Sequence, residues 1–443
     1  MNINTAFKLF DIRGEYPDVV DERLAFIVGK ALTQFKRPIK VVVASDTRES
    51  SSPLKNFLID GLSTGCKEIY DLFEVPTPEF YQVLATKDFD LGIMVTASHV
   101  SDSENGFKIA NKGGIPFDQG EMESLKNIVQ GMSKEGIVVP KLEAIRINHT
   151  DDYLNDIFSR LPKKEFHSKV VLDISKSSMV TPVMVSFTRL GINFSLVSSS
   201  HTGNPMYAEN RVDLVKKVVE TNADLGIMWD SDGDRVVFVD SKGKLIPMPF
   251  IMGILAAEEV KNHPGGKVAV DVRTGLVVRD LVEEAGGTIE VFPAWSQFLK
   301  FAMRDDPEII FGGEISGHFI YSDFYTIDDG LLSAFKFLAL WESGYAKEKI
   351  AQLSNKYFEL PEKNFPVDPV EAPFILERLA EYYRKKDVQV FVVDGLTVYG
   401  TNYRFNLRTS LTEPLLRLNL ETTGENKANE IISELEKNIS QNI

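Results

Sequence analysis

Three similar α/β domains with mixed, mainly parallel sheets, followed by a smaller C-terminal α+β domain, are what this 443-residue sequence predicts. Three observations lead there. Short β-branched apolar runs alternate with amphipathic stretches up to about residue 362, the pattern of α/β units around a parallel sheet. The pentapeptide Asp90-Leu91-Gly92-Ile93-Met94 recurs letter for letter as Asp224-Leu225-Gly226-Ile227-Met228. A run of lysine, strand and aspartate occurs three times, at 40–46, 169–173 and 267–271. Repeats about a hundred residues apart are domain-sized, too long for a solenoid. The chain also exceeds what one hydrophobic core supports, which favours three or four domains.

In chain order, strands are expected at 39–44, 91–95, 170–173, 225–229, 268–271 and 309–311, with helices at 21–35, 179–190, 210–221 and 275–285. Beyond Pro361 and Pro366 the character changes to a shorter module. It has a helix near 374–385, strands at 389–393 and 404–407, and a helix at 425–438. The expected domains are therefore 1–146, 147–248, 249–362 and 363–443.

Composition is ordinary for a soluble globular protein, 43% hydrophobic and 26% charged. No apolar stretch reaches the ~18 residues that span a bilayer, so no membrane partner is expected. The N-terminus lacks the basic and apolar blocks of a signal peptide. The single cysteine, Cys66, excludes an intramolecular disulfide, and together these point to the cytoplasm. A net charge of −15 argues against nucleic acid as a partner. Oligomeric state is not legible.

Each strand of the repeat ends in a polar loop, and ligands of α/β sheets bind beyond the carboxyl ends of the strands. The loop Asp230-Ser231-Asp232-Gly233-Asp234-Arg235 brings three carboxylates together at alternate positions. Such a group stays ionised around a cation, and all-oxygen ligands beside a phosphate suit Mg²⁺. Arg235 adds a planar phosphate donor. Ser98, in Thr96-Ala97-Ser98-His99, is the candidate nucleophile; a phosphoserine near that cation would be a phosphoryl donor. His99 can donate to phosphate. Lys108 returns toward the same loop and, if partly desolvated among other cations, could lose its proton and act as a general base. Glu314, Ser316 and His318, on a glycine-rich loop, suit vicinal sugar hydroxyls and proton transfer. Arg408, Ser410 and Thr412 form a plausible phosphate pocket. Arg13 and Arg48 are further anion-binding candidates. Were the strand ends to converge, all these loops would surround one cleft.

Taken in order, Phe10-Asp11-Ile12-Arg13-Gly14, Thr96-Ala97-Ser98-His99, Asn105-Gly106-Phe107-Lys108, Asp230-Ser-Asp-Gly-Asp-Arg235, Gly313-Glu-Ile-Ser-Gly-His318 and Arg408-Thr-Ser-Leu-Thr412 resemble the α-D-phosphohexomutase superfamily, most closely its phosphomannomutase/phosphoglucomutase branch. The resemblance implies four domains around a central cleft, a phosphoserine at Ser98, and Mg²⁺ held by that phosphate with Asp230, Asp232 and Asp234. It implies interconversion of hexose 1-phosphate and hexose 6-phosphate through a 1,6-bisphosphate. Glu314 and Ser316 would hold sugar hydroxyls, the loop of Arg408, Ser410 and Thr412 the phosphate that is not reacting, and Lys108 with His318 the protons. Arg273 stands where a lysine is common. Other departures are Val100-Ser101 for the usual Asn-Pro, Leu411 for Asn, and Ala294-Trp295-Ser296-Gln297-Phe298-Leu299-Lys300 where a Gly-His pair usually precedes a Ser-Phe-Ile-Lys-like helix start. Two alternatives stay open: a sugar-phosphate-binding protein with impaired catalysis, and a haloacid-dehalogenase-like phosphatase using Asp230. Mannose and glucose phosphates are not distinguished.

Overall fold

The computed structural model describes residues 3–132, 142–162, 165–174, 177–197, 204–354, 356–359, 363–409 and 414–440. Its chain forms two compact units, Met1–Ile246 with Ile327–Ala339, and Pro247–Thr326 with Leu340–Ile443.

In the first unit, the leading sheet runs Ile12–Glu15, Glu104–Asn111, Leu91–Val95, Lys40–Ser45, Glu68–Glu74, Ile145–Arg146. Lys40–Ser45 is parallel to Leu91–Val95 and to Glu68–Glu74, and Glu104–Asn111 returns antiparallel. A second sheet repeats the motif. Val170–Asp173 is parallel to Leu225–Trp229 and to Phe194–Leu196, and Val236–Asp240 returns antiparallel. In the second unit, Lys267–Asp271 is parallel to Ile309–Gly313 and to Thr288–Phe292, and Phe319–Tyr321 returns antiparallel. The Ser98, Asp230 and Glu314 loops therefore each join a parallel strand to its antiparallel return.

The pentapeptide repeat has a structural cause. Asp90 caps the start of the neighbouring parallel strand, accepting from the backbone N–H of Ile39 (2.8 Å) and Lys40 (3.0 Å). Asp224 does the same for Lys169 (2.9 Å). A Cβ on Gly92 would lie 2.5 Å from Leu84 Cδ1, and one on Gly226 2.7 Å from Val218 Cγ2. Glycine lets a helix press onto the strand in both places. The strands themselves are buried throughout, as central parallel strands are.

The last sheet is antiparallel, in the order Phe358–Glu359, Leu415–Thr422, Tyr403–Thr409, Leu396–Tyr399, Gln389–Val392. Helices Ala372–Arg384 and Glu425–Ser440 bury Leu379, Tyr383, Ile431 and Leu435 in its core. Leu396–Tyr399 and Leu415–Thr422 are strands that the sequence reading did not foresee. The second alternates buried and half-buried positions along its length, a period-2 signal that was present in Leu-Leu-Arg-Leu-Asn-Leu. Cys66 is buried, and burial pushes its thiol up to about 12, which makes it a packing residue rather than a nucleophile. Among the described residues no helix is long and apolar enough to cross a membrane.

A buried acidic pair in the first unit links stability to pH. Burial, reinforced by the nearby Asp329 charge, raises Glu79 to about 7 although Thr150 Oγ1 donates to it. Burial likewise raises Asp329 to about 7, against hydrogen bonds from the Leu332 N–H and Tyr153 Oη. Both groups ordinarily titrate near ~4. Below ~4 the folded and unfolded states both hold these protons; between ~4 and ~7 only the folded state does. Stability therefore falls as pH rises through that window and levels off above it. We expect a higher Tm at pH 5 than at pH 8, by a margin that shrinks in Glu79→Gln/Asp329→Asn, checked by thermal scans at both pH values.

Candidate active site

In the first unit, Ser98 follows the buried strand Leu91–Val95 at a φ of 57°, a left-handed conformation that costs a non-glycine residue energy and clusters at functional sites. The turn is held from several sides. The Ser98 N–H donates to Thr96 Oγ1 (2.9 Å), and Thr96 Oγ1 donates to Asp46 (2.8 Å). The Ser98 hydroxyl lies 3.1 Å from His99 Nδ1.

Arg48, expected as an anion binder, does something else. Its guanidinium is buried and donates to the carbonyls of Ser98 (2.6 Å), Val100 (2.9 Å), Ser101 (2.6 Å) and Glu104 (3.2 Å), with Nε on Asp46 (3.0 Å). It ties down the serine loop. Arg48→Ala should cost about 3 kcal/mol by orphaning those carbonyls and removing the counter-charge of the buried Asp46 carboxylate. Arg48→Lys should recover little, since an ammonium cannot reproduce the fork; urea unfolding checks both. Arg13, on the edge strand paired with Glu104–Asn111, donates to Asp11 at 2.6 Å.

Asp230, Asp232 and Asp234 sit at the equivalent loop of the second sheet, all buried, with one oxygen from each within 4.8 Å of the others. The Asp230 carboxylate accepts from the N–H groups of Gly233 and Arg235, each at 3.1 Å. Gly233 takes a φ of 78°; a β-carbon there would meet Met179 Sδ at 2.2 Å. Asp232 Oδ1 is buried and accepts no hydrogen bond. Three clustered carboxylates with an unsatisfied oxygen fit a divalent metal ion, hard by the chemistry of the donors. Arg235 Nε stands 3.6 Å from Asp230.

Lys108 joins this group. It stands opposite Met94 in the antiparallel return strand, and its ammonium lies 2.7 Å from both Asp232 and Asp234. Burial alone would push its pKa down, but the two carboxylates hold it well above the usual lysine range. Proton loss among cations was the sequence-based expectation; acidic neighbours reverse it, so Lys108 is a firm cation in this arrangement.

Several residues behind the loop were not legible as site residues. Thr77 binds Asp232 twice, by N–H to carbonyl (2.8 Å) and Oγ1 to carboxylate (2.7 Å). Gly330 N–H donates to the Gly233 carbonyl at 3.1 Å. A β-carbon on Gly330 would lie 2.8 Å from the carbonyls of Gly233 and Arg235. The adjacent Asp328-Asp329-Gly330 acidic turn was a signal the sequence offered.

In the second unit, Asp271-Val272-Arg273 repeats the geometry of Asp46-Thr47-Arg48. The Arg273 N–H and Nε donate to Asp271 at 2.7 and 3.1 Å. Its guanidinium reaches a carboxylate rather than a loop backbone, with Nη2 3.2 Å from Glu314. Glu314 is buried and accepts from the Trp295 N–H (2.9 Å) and Ser316 Oγ (3.2 Å), with His318 Nδ1 at 2.9 Å. Burial works to raise its pKa; His318, then Arg273 and the Trp295 N–H overcome this and hold it at about 2. Gly317, at a φ of 97°, closes the turn. Arg408, on Tyr403–Thr409, has Asp394 at 3.7 Å. Asp394 also favours the charge on Arg273. The Arg273 loop is joined to the last sheet by Tyr399 Oη donating to the Thr274 carbonyl (2.8 Å) and Arg279 to that of Gly400 (2.9 Å). Ser410 and Thr412, like Leu411, lie outside the described residues.

The fold and these loops define a multidomain α/β protein with a buried carboxylate triad that fits a divalent cation. The family model for phosphoglucomutase/phosphomannomutase α/β/α domain I matches residues 4–135, and that for domain III matches 250–360. A phosphomannomutase from Methanocaldococcus jannaschii is 30% identical over 98% of this chain and 97% of its own. One from Escherichia coli is 31% identical over 95% of each. The crystal structure of a phosphoglucomutase/phosphomannomutase family protein from Burkholderia thailandensis, 24% identical, superimposes with a TM-score of 0.85, covering 98% of this chain and 97% of that one. The chain belongs to the phosphoglucomutase/phosphomannomutase family.

Proposed function

We propose that this protein is a phosphohexomutase of the cytoplasm that interconverts hexose 1-phosphate and hexose 6-phosphate, of mannose, glucose or both, with Ser98 as the phosphoryl carrier. The observation that carries this reading is the pairing of a strained, heavily tethered serine loop with a buried carboxylate triad at equivalent loop positions of one compact unit. Four functional domains, 1–146, 147–248, 249–362 and 363–443, divide the work.

In the first half-reaction a sugar hydroxyl oxygen attacks the phosphorus on Ser98, the bond from phosphorus to Ser98 Oγ breaks, and a hexose 1,6-bisphosphate forms. In the second, Ser98 Oγ attacks the other phosphorus of the same sugar, the bond from that phosphorus to the sugar oxygen breaks, the freed oxygen takes up a proton, and hexose monophosphate leaves with the phosphoserine restored. Arg235 and Lys108 supply positive charge for the transferring group. Asp230, Asp232 and Asp234 would hold Mg²⁺, which neutralises charge on the phosphoryl oxygens when bound. Glu314, kept ionised, and Ser316 accept and donate to sugar hydroxyls. Arg273 and Arg408, with Ser410 and Thr412, hold the phosphate at rest, and Arg13 adds charge. His318 and His99 would exchange protons with hydroxyl or phosphate oxygens.

The purified protein, primed with glucose 1,6-bisphosphate and Mg²⁺, should convert mannose 1-phosphate or glucose 1-phosphate to the 6-phosphate in a coupled assay. No turnover of either, nor of glucosamine 1-phosphate, would remove the proposal.

A further inference from the structure

Trp295 combines a strained backbone with an exposed aromatic side chain beside the Glu314 loop. Its backbone has a φ of 118° and ψ of 120°, a region that is essentially reserved for glycine. Yet the residue is tryptophan, and it leaves 43% of its surface exposed where its neighbours Ser296, Leu299 and Lys300 are buried. Its N–H donates to Glu314 Oε1 at 2.9 Å, the same oxygen that Arg273 reaches. Strain of this kind persists only when the surroundings enforce it. The anchoring carboxylate is the group that the proposed function assigns to the sugar.

We infer that Trp295 is a substrate-binding residue, its indole face a platform for the C–H face of the hexose ring whose hydroxyls Glu314 and Ser316 hold. The electron-rich face of an indole attracts weakly positive C–H groups, and the rigid two-torsion side chain loses little entropy on contact. A pyranose presents hydroxyls at its rim and C–H bonds on its faces, so carboxylate and indole would grip complementary parts of one ligand. The axial C2 hydroxyl of mannose crowds one face only, so a platform under the other face accepts both epimers. The inference rests on the phosphohexomutase reading and deepens it.

Two variants separate platform from scaffold. Trp295→Gly suits the observed φ and removes the indole. Its Tm should stay level or rise, while KM for hexose 1-phosphate rises about tenfold with kcat within about threefold, as expected when one aromatic contact is lost. Trp295→Phe should keep KM near the parent value. The chain has three tryptophans, and Trp229 and Trp341 are buried. Glucose 6-phosphate should therefore change the emission of the parent protein, saturably, and that response should vanish in Trp295→Phe. An unchanged KM in Trp295→Gly, or an emission response that survives in Trp295→Phe, overturns the inference while leaving the mutase reading intact. A parent protein that turns over no hexose phosphate overturns both.

Discussion

Ser98→Ala is expected to abolish hexose phosphate interconversion, by a factor on the order of 10⁴ or more, while leaving the fold and its Tm close to the parent. The serine side chain makes a single short contact, 3.1 Å to His99. The loop is held through backbone groups instead: the Ser98 carbonyl on Arg48 and the Ser98 N–H on Thr96. Alanine preserves both. Replacement removes the oxygen proposed to carry the phosphoryl group, so added glucose 1,6-bisphosphate should not restore turnover. Recovery of even a few per cent of activity by the bisphosphate would point to another carrier.

Lys108→Met should have the largest effect on stability. Its ammonium is buried against Asp232 and Asp234 at 2.7 Å each, and removing it leaves clustered carboxylates facing one another. Breaking a buried pair from one side costs about 3–5 kcal/mol. In chelator, the urea midpoint should drop accordingly. Because Asp230, Asp232 and Asp234 fit a divalent ion, millimolar Mg²⁺ should restore most of the loss, and more in the variant than in the parent. Turnover should still fall, by roughly 10²-fold or more, since the cation proposed to face the transferring group is gone. A variant as stable in chelator as the parent, or one indifferent to Mg²⁺, would contradict the electrostatic account of this loop.

How much of this was legible depended on whether a contact repeats along the chain. The Asp-Leu-Gly-Ile-Met repeat exposed two equivalent strands because the same residues have the same task in each. The aspartate caps the neighbouring parallel strand and the glycine admits a helix. The loops that follow were legible from residue type alone. What each side chain touches was not. Arg48 and Arg273 occupy matching Asp-x-Arg turns, yet one ends on backbone carbonyls and the other on Glu314, a difference set by loops some 40–50 residues away in sequence. Lys108 meets Asp232 and Asp234 across more than 120 residues; no spacing rule reports such a contact. The left-handed φ of Ser98 and the glycine-like φ of Trp295 run against residue preference, so sequence reasoning assigns neither. Such violations concentrate where function overrides local propensity.

The most direct test of the account is the location of the phosphoryl group. The protein would be incubated with glucose 1,6-bisphosphate, quenched, and mapped by tandem mass spectrometry. The expected result is one phosphate per chain, on the peptide containing Ser98, removed on incubation with excess hexose monophosphate. A phosphate on Asp230, or active protein that carries none on Ser98, would contradict it.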